Sequence, residues 1–231
     1  MRERNFNKEL FYFLDKIKNN ENFAFSKYAD GEYAILRNEF ITNCDNWTFD
    51  PHKHNKHHLE LLSSFKFSDP EYYVGISCPC CVPHEHVKWM RDNVNVDDNH
   101  LTWANLFVNS NYDNYKKYFI EEYKNHDIIL IANKKAKIEN LPFKIEKHIK
   151  ISNTAFIDDF NLVNTLQYEK YINKLFLFAA GPLGNMLVAK MWKYNKNNIY
   201  LDIGSTLNPW LVGNNRGYLK NFVSKNKICI W

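Results

Sequence analysis

Hydrophobic and polar residues follow two patterns along the 231-residue chain, one typical of helices and one typical of strands. Apolar residues recur at helical spacing over residues 6–17, which predicts an opening amphipathic helix. Short and nearly continuous apolar runs, bounded by polar or turn residues, predict buried strands. These runs cover residues 23–28, 72–77, 127–132, 147–152, 175–180 and 199–203.

Helical patterns separate these runs, at residues 33–36, 83–91, 112–123, 160–172 and 185–194. Strands that alternate with helices predict an α/β fold with a mostly parallel sheet flanked by helices. A chain of this length can bury one large core, so we expect a single Rossmann-like domain over residues 1–231, with two small domains as the alternative. In such a sheet, ligands bind beyond the carboxyl ends of the strands.

Two carboxylates stand two residues apart where the first predicted strand meets the next helix, in the segment Lys27-Tyr28-Ala29-Asp30-Gly31-Glu32. In a locally extended backbone, residues i and i+2 project to the same side, so Asp30 and Glu32 can share one hard divalent cation. Lys27 adds a positive charge for a phosphate group. The alternative is an acidic first turn of a helix, which the positive helix N-terminus favours without any metal.

A glycine-containing loop, Gly181-Pro182-Leu183-Gly184-Asn185, lies between an apolar strand and a helix. Backbone N–H groups at a helix N-terminus bind anions, and glycines let a phosphate approach closely. Pro182 suits the start of a helix, where its missing N–H has no intrahelical partner. The loop matches neither the Walker A sequence nor the G-x-G-x-x-G dinucleotide fingerprint, so a tight turn without a ligand is the alternative.

The last predicted strand ends in Asp202-Ile203-Gly204-Ser205. This segment superficially resembles the loop of Rossmann methyltransferases that wraps the methionine part of S-adenosylmethionine. The second glycine of that motif is missing, and only 27 residues follow Gly204, too few for the rest of such a domain. We therefore favour a nucleotide-facing loop and keep an S-adenosylmethionine-dependent methyltransferase as an alternative. Residues 208–210 and 213–218, with Arg216, form either a flap over a ligand or a packed tail.

Composition describes an ordinary folded protein, because 45% hydrophobic and 16% aromatic residues exclude a disordered chain. The formal net charge is +4, and no cluster of Lys or Arg with interleaved aromatics forms a strand-binding stripe. We therefore expect no nucleic-acid partner. The mild positive charge suits a small anionic ligand such as a nucleotide diphosphate.

The chain shows no feature of export or membrane insertion. The five cysteines are an odd number, and residues 1–8 are charged and lack the apolar stretch of an export signal. The longest apolar stretch, residues 175–189, is interrupted by two glycines, a proline and an asparagine. We therefore expect no membrane span and a reducing, cytoplasmic setting.

Cysteine and histidine are dense in one short segment, which holds Cys78, Cys80, Cys81, His84 and His86. Structural zinc usually needs two ligand pairs that are well separated in the chain, whereas this C-x-C-C-x-x-H-x-H pattern is compact. We expect buried thiols here rather than a zinc site. A non-catalytic binding module with a zinc-stapled loop over residues 78–86 is the second alternative function.

Three of these motifs together resemble those of glycosyltransferases with the GT-D fold. Lys27-Tyr28-Ala29-Asp30-Gly31-Glu32 resembles the family's Arg-aromatic-Gly-Asp-Gly-Glu motif, with lysine in place of the arginine and alanine in place of the first glycine. Residues 180–184 and 200–204 are similar to its C-terminal Gly-Pro loop and Asp-Ile-Gly strand end. Ser205 stands where some relatives have a histidine. The order and spacing also fit, and the resemblance spans residues 23–211.

The resemblance implies a metal-dependent glycosyltransferase that moves a sugar from a nucleotide-diphosphate sugar, with a UDP-sugar as the expected donor, to a glycan or another hydroxyl acceptor. Asp30 and Glu32 would hold Mn²⁺ or Mg²⁺, which stabilises charge on the departing diphosphate. Donor contacts are expected from Lys27, Tyr28, Gly181, Pro182, Gly184, Asn185, Asp202, Gly204 and Ser205. A general base near the acceptor is also needed, and its candidates are Asp202, His84, Glu85 and His86.

Overall fold

A seven-stranded parallel sheet organises the structure, a computed structural model that describes residues 5–43, 47–166, 169–213, 216–217 and 226–231. In chain order the strands are β1 (Ala24–Tyr28), β2 (Ile41–Thr42), β3 (Thr48–Phe49), β4 (Tyr72–Ile76), β5 (Leu101–Trp103), β6 (Ile128–Asn133), β7 (Lys147–Ile151), β8 (Leu175–Phe178) and β9 (Ile199–Asp202). The large sheet has the order β5-β4-β1-β9-β8-β6-β7, and all its pairings are parallel. β2 and β3 form a separate antiparallel pair. The predicted fold class is confirmed.

Helices connect the strands. In chain order they are α1 (Phe6–Lys18), α2 (Asp30–Leu36), α3 (Asn55–Phe65), α4 (His84–Asn93), α5 (Tyr112–Asn114), α6 (Ile120–Tyr123), α7 (Ala155–Asp158), α8 (Leu162–Thr165), α9 (Pro182–Tyr194) and α10 (Asn208–Leu211). A π-helical segment, Tyr115–Phe119, joins α5 to α6. In the described part of the chain, none of the helices has the length and apolar character that a membrane crossing needs.

Both faces of the sheet are buried. In β8, Phe176 and Phe178 pack in the apolar cluster that contains α3 and α9, whereas Leu175 and Leu177 pack in the cluster that contains α1 and residues 112–123. Successive side chains of a strand point to opposite faces, so a strand covered on both sides consists of apolar residues throughout. This explains why the strands appear in the sequence as continuous apolar runs.

The helix expected over residues 160–172 is wrong. Among the described residues of this range, which leave out 167 and 168, the structure has only α8, which ends at Thr165 and is followed by an extended Leu166. The carbonyl oxygen of Tyr171 accepts from Asn195 Nδ2 at 2.8 Å and from Asn198 Nδ2 at 2.9 Å. Side-chain amides thus take the place of helical backbone donors here. The apolar pattern instead reflects burial of Tyr171 against the core.

The described part of the expected flap is a packed segment. Residues 208–211 form α10, in which Leu211 is buried and the Trp210 carbonyl oxygen accepts from Asn140 Nδ2 at 3.3 Å. Residues 214, 215 and 218 of the expected flap lie outside the described residues. The described residues therefore favour the tail interpretation at α10.

Candidate active site

The carboxyl ends of β1 and β9 lie side by side in the middle of the sheet. The chain enters α2 directly after β1, so Asp30 and Glu32 lie in the first turn of that helix. After β8 the chain enters α9 through Gly181, and after β9 it continues into the loop that contains Gly204. The three predicted motifs therefore meet at one edge of the sheet, where parallel sheets bind ligands.

Asp202, the last residue of β9, ties these loops together. Its side chain is buried, and its Oδ2 accepts from the Lys27 backbone N–H at 3.3 Å and from Asn185 Nδ2 at 3.3 Å. Its Oδ1 accepts from the Gly204 backbone N–H at 3.0 Å. Donors from three segments thus hold the two carboxylate oxygens, so Asp202 positions the loops around it.

Two buried carboxyl groups of this region, those of Asp202 and Glu32, have raised pKa values. Burial raises the pKa of Asp202 to about 7; the positive charge of Lys27 opposes the rise, and the negative charge of Glu32 adds to it. Burial also raises the pKa of the Glu32 carboxyl, again against the charge of Lys27. Two buried carboxyls beside one lysine form a site whose charge changes with pH, a common property of functional sites.

Asn185, in the first turn of α9, connects that helix to β1. Its Nδ2 donates to the Lys27 carbonyl oxygen at 2.7 Å and to Ser26 Oγ at 3.0 Å. The side chain is fully buried, and its Oδ1 has no hydrogen-bond partner among the described residues. The amide group thus fixes α9 against the end of β1. Asn185 supports the site from within the core.

The Lys27 side chain lies over Gly204. This glycine has a φ of +53°, in the left-handed region that favours glycine. A Cβ at this position would lie 2.8 Å from Lys27 Nζ and closer still to Cε, so a larger residue would displace the lysine. The absent side chain of Gly204 therefore provides the space that Lys27 occupies.

A cavity of about 110 Å³ lies beside this lysine. Two predicted site residues, Lys27 and Ser205, contribute to its wall. The loop after β5 contributes Asn105, Asn109 and neighbouring residues, which the sequence motifs do not indicate. β5 is only three residues long, so no periodicity marks this loop. Its only sequence signal is the two asparagines, which are common in turns.

Asp30 and Glu32 differ in their surroundings. Asp30 is exposed at the start of α2, whereas Glu32 is buried and its Oε2 accepts from the Ala29 backbone N–H at 2.9 Å. Glu32 therefore caps the helix, as the structural alternative predicts. The expectation that Asp30 and Glu32 project to the same side assumes an extended backbone. The structure places both in the first turn of α2, where residues i and i+2 do not face each other, so the pair matches Mg²⁺ or Mn²⁺ in ligand type alone.

The glycine loop at the start of α9 is exposed to solvent at Gly181, its first residue, and is buried after it. Gly181 has a φ of +54°, and Pro182 takes the first helical position, as predicted. Gly181 is exposed, whereas Pro182, Gly184 and Asn185 are buried. Gly181 is thus the part of the predicted phosphate loop that a ligand can reach.

Tyr28 lies in the core rather than at the ligand-binding edge. Its ring is fully buried and packs against Phe65 with ring centroids 4.8 Å apart, while its hydroxyl donates to Ser64 Oγ at 3.1 Å. Burial raises the pKa of Tyr28 to about 12, so the phenol stays protonated at neutral pH. The structure gives Tyr28 a packing role in place of the predicted donor contact.

The remaining base candidates lie in the first turn of α4, which follows β4. His84 and Glu85 are exposed. The His86 ring stacks on Tyr33 of α2, with ring centroids 3.9 Å apart. Because β4 is the neighbour of β1, this turn lies on the same edge of the sheet as Lys27.

The cysteine-rich segment after β4 gains a fourth member that the sequence pattern does not connect with it. The group consists of Cys78, Cys80, Cys81 and Cys229, whose sulfur atoms all lie within 4.8 Å of one another. In the described ranges, no other set of three or more potential metal ligands comes this close together. The group does not include His84 or His86, and Cys44 lies outside the described residues.

Comparison with known proteins bears on the fold. No protein-family model and no curated protein sequence matches the chain. A solved structure described as the highly conserved domain of unknown function 1792, with a distinct glycosyltransferase fold, matches with a TM-score of 0.59 at 14% identity, over 85% of this chain and 77% of that chain. This chain has a glycosyltransferase fold.

Two further structures agree with that finding. A new glycosyltransferase of the same domain type from Streptococcus sanguinis matches with a TM-score of 0.58 at 12% identity, over 85% of this chain and 80% of that chain. A selenomethionine-substituted structure of the domain gives 0.58 at 13% identity, over 85% and 77% of the two chains. Identities this low show a shared fold alone. The resemblance to the GT-D fold, predicted from the motifs, is confirmed at this level.

Proposed function

We propose that the protein is a metal-dependent glycosyltransferase that moves a sugar from a nucleotide-diphosphate sugar, with a UDP-sugar as the expected donor, to a hydroxyl of a glycan or another acceptor. The observation that carries the proposal is the position of Lys27 in a cavity on a glycosyltransferase fold, close enough to Glu32 to oppose the rise of its pKa. The positive charge of Lys27 would contact the diphosphate, and the two carboxylates beside it would bind the metal ion.

Lys27 and Gly181 are the expected contacts of the diphosphate. The lysine ammonium is a point charge that offsets the negative charge developing on the leaving group. The cavity of about 110 Å³ is smaller than the roughly 300–1,000 Å³ of typical ligand pockets. It therefore takes one group of the donor, and the rest of the donor lies across the exposed edge of the sheet.

Asp30 and Glu32 would hold the divalent cation, Mn²⁺ or Mg²⁺. When bound, the cation stabilises negative charge on the leaving diphosphate. A carboxylate must be deprotonated to bind a metal, and the pKa of Glu32 is raised by burial. Metal affinity is therefore expected to fall more steeply at mildly acidic pH than it would for two exposed carboxylates.

Deprotonation of the acceptor hydroxyl requires a base that the acceptor can reach. Asp202 is buried and donors hold both of its oxygens, so we assign it to positioning Lys27 and the Gly204 loop. His84 and Glu85 are exposed on the same edge of the sheet, and we assign the acceptor side to them.

Calorimetric titration with UDP-sugars and other nucleotide sugars, with and without Mn²⁺, tests the proposal. Lys27→Met should weaken donor binding by about 10-fold or more, because a hydrogen bond to a charged group contributes about 1.5–3 kcal/mol. Lys8→Met, which removes an exposed lysine of α1, is the matched control and should bind normally. Absence of donor binding in the presence of metal, or equal binding by Lys27→Met, would contradict the proposal.

The same titration with S-adenosylmethionine tests the methyltransferase alternative. We expect no binding, because the Lys27 side chain occupies the space over Gly204. Gly204 belongs to the loop that, in a methyltransferase, would wrap around the methionine part of S-adenosylmethionine. Saturable binding of S-adenosylmethionine without binding of any nucleotide sugar would favour the methyltransferase instead.

A further inference from the structure

Four cysteine sulfur atoms converge beyond the carboxyl end of β4. Three follow that strand directly and the fourth comes from residues 226–231: Cys78, Cys80, Cys81 and Cys229. The sulfur atoms of Cys80 and Cys81 are 3.8 Å apart, and those of Cys81 and Cys229 are 3.9 Å apart. Cys78 and Cys80 are the closest pair, at 2.9 Å.

These spacings suit a tetrahedron of thiolates around one ion. With zinc–sulfur distances of about 2.3 Å, the corners of a tetrahedral site are about 3.8 Å apart. The Cys80–Cys81 and Cys81–Cys229 separations already have this value. The closest pair, Cys78 and Cys80 at 2.9 Å, would have to move apart by about 0.9 Å to reach the spacing of a tetrahedral site.

The chain around Cys229 buries the sulfur and leaves larger apolar groups in solvent. Cys229 is 0% exposed, whereas Ile228 and Ile230 are 65% and 60% exposed. Burial of an isoleucine side chain would remove more apolar surface from water than burial of a cysteine. The hydrophobic effect therefore does not explain why this segment turns the cysteine inward.

Contacts on either side of Cys229 hold this orientation. The Ser110 backbone N–H donates to the Lys227 carbonyl oxygen at 3.1 Å. The Trp231 ring packs against Trp103 at the end of β5, with ring centroids 5.2 Å apart. The segment is thus anchored before and after the cysteine.

Polar groups around the sulfur atoms suit a negatively charged cluster. Asn109 Nδ2 donates to Cys229 Sγ at 3.3 Å and to Cys81 Sγ at 3.9 Å. The Cys81 backbone N–H donates to the Cys78 carbonyl oxygen at 2.9 Å, which closes the segment into a turn. Lys227 adds a positive charge near Cys81. Outer hydrogen bonds of this kind orient metal ligands and tune the metal.

We propose that Cys78, Cys80, Cys81 and Cys229 bind one Zn²⁺ ion as four thiolates. Sulfur ligands select zinc over Mg²⁺ or Mn²⁺, which prefer oxygen. Each thiol releases its proton to solvent when it binds, and the ion balances two of the four negative charges. Four protein ligands close the zinc coordination shell, so the ion is structural.

This zinc site would brace one wall of the cavity. The Asn109 side chain lines the cavity and donates to Cys229. The ion and this hydrogen bond together would join the loop after β4, the loop after β5 and residues 226–231. Segments that are far apart in the chain would thereby be held next to Lys27.

The zinc content of protein purified under reducing conditions without added metal tests the site. We expect about one zinc ion per chain, and the visible absorption of a tetrahedral cobalt thiolate after exchange with Co²⁺. Cys229→Ser and Cys81→Ser should lose most of the zinc, whereas Cys44→Ser removes a cysteine outside the proposed set and should keep it. If the protein is purified without metal, titration with Zn²⁺ against a chromophoric chelator measures the same affinity. Failure to bind zinc in that competition, iron in its place, or a native disulfide between Cys78 and Cys80 would overturn the proposal.

A second variant separates loss of the ligand set from loss of the fold. Asn109→Gly keeps the four thiols and suits the left-handed backbone at this residue, whose φ is +55°. Removal of the outer donor should lower zinc affinity by about 10–100-fold, with an unchanged circular dichroism spectrum. Unchanged zinc affinity would remove Asn109 as an outer donor of the site. Thiols that react freely with an alkylating reagent in the presence of Zn²⁺ would count against the site itself. None of these measurements involves a sugar donor, so their outcome is independent of the proposed activity.

Discussion

The carboxyl edge of the sheet contains two regions with opposite ligand chemistry. The oxygen region, beyond β1 and β9, comprises Asp30, Glu32 and Asp202; the sulfur region, beyond β4 and β5, comprises Cys78, Cys80, Cys81 and Cys229. Hard cations prefer oxygen, whereas zinc accepts thiolates, so the two regions select different ions. Lys27, which lies beside the oxygen region, and Asn109, which donates to Cys229 of the sulfur region, both line the cavity. The proposed catalytic ion and the proposed structural ion would therefore not compete for the same ligands.

Substitution of the proposed metal ligands, Asp30 and Glu32, is expected to have the largest effect and to affect the oxygen region alone. Asp30→Asn and Glu32→Gln should lower metal-dependent hydrolysis of the donor by a factor on the order of 10²–10³, the usual cost of one lost stabilising group at a developing charge. Glutamine retains an oxygen that can accept from the Ala29 N–H, so α2 should stay folded. Hydrolysis assays with Mn²⁺ measure the effect.

Asp92→Asn is the matched control for these acids, because Asp92 is exposed on α4 and forms a surface salt bridge with the exposed Lys88. Its turnover should match that of the wild type, and the zinc content of all three variants should stay the same. Normal turnover in Asp30→Asn or Glu32→Gln would remove the metal assignment from the oxygen region.

A rise in pH should have opposite effects at the two regions, lowering the contribution of Asp202 to stability and raising the zinc affinity of the cysteines. Asp202 has a folded pKa of about 7, above the roughly 3.9 of an unfolded aspartate. The folded state therefore binds this proton more tightly, and the contribution of Asp202 to the free energy of unfolding falls as the pH rises from about 4 to 7. Zinc affinity of the sulfur region should instead rise with pH, because thiols must deprotonate to bind.

Urea unfolding of the wild type and of Asp202→Asn measures this contribution. The free energy of unfolding of the wild type should fall relative to that of the variant, by a few kcal/mol in order of magnitude, between about pH 5 and pH 7. The difference should become constant only from about one pH unit above 7, where Asp202 is deprotonated in the folded state as well. Parallel curves across the whole range would show that Asp202 titrates no differently in the folded and unfolded states.

Gly204→Ala tests whether the space over the glycine positions Lys27. The substitution forces an alanine to a φ of +53° and brings its Cβ against the lysine side chain. We expect a loss of stability of about 1–2 kcal/mol from the backbone and about 10-fold weaker donor binding from displacement of Lys27. Gly213→Ala is the matched control, because φ there is +90° and a Cβ meets no atom of the described residues within 4 Å. Equal donor binding by the two variants would mean that Gly204 has no role in placing the lysine.

The oxygen region could be predicted because its residues lie within short motifs at strand ends. Asp30 and Glu32 are two residues apart, and the apolar strands before Asp30 and Asp202 place both segments at the same edge. Asn185 is predicted in the same way, from the loop that starts α9. The sequence does not show that its side chain points into the core, because burial depends on how α9 packs against β1.

The sulfur region could not be predicted because its last ligand is distant in the chain. Cys229 is 148 positions from Cys81, and nothing in the local sequence connects the two. The compact segment alone suggested His84 and His86 as further ligands, yet α4 begins at His84 and carries both away from the sulfur atoms. The sequence does not indicate Asn109 as a site residue for a related reason: it follows a three-residue strand, which is too short to show a period.

The smallest expected effect is that of Lys27→Arg, which introduces the residue type of the GT-D motif. A guanidinium keeps the charge and can contact two phosphate oxygens, but it is larger than an ammonium. The lysine already lies against Gly204 in a cavity of about 110 Å³, which limits the room for a larger group. Because the two contributions oppose each other, we expect donor affinity within about three-fold of the wild type, measured by calorimetry beside Lys27→Met. A loss as large as that of Lys27→Met would show that the charge at residue 27 is not sufficient and that the space over Gly204 also limits donor binding.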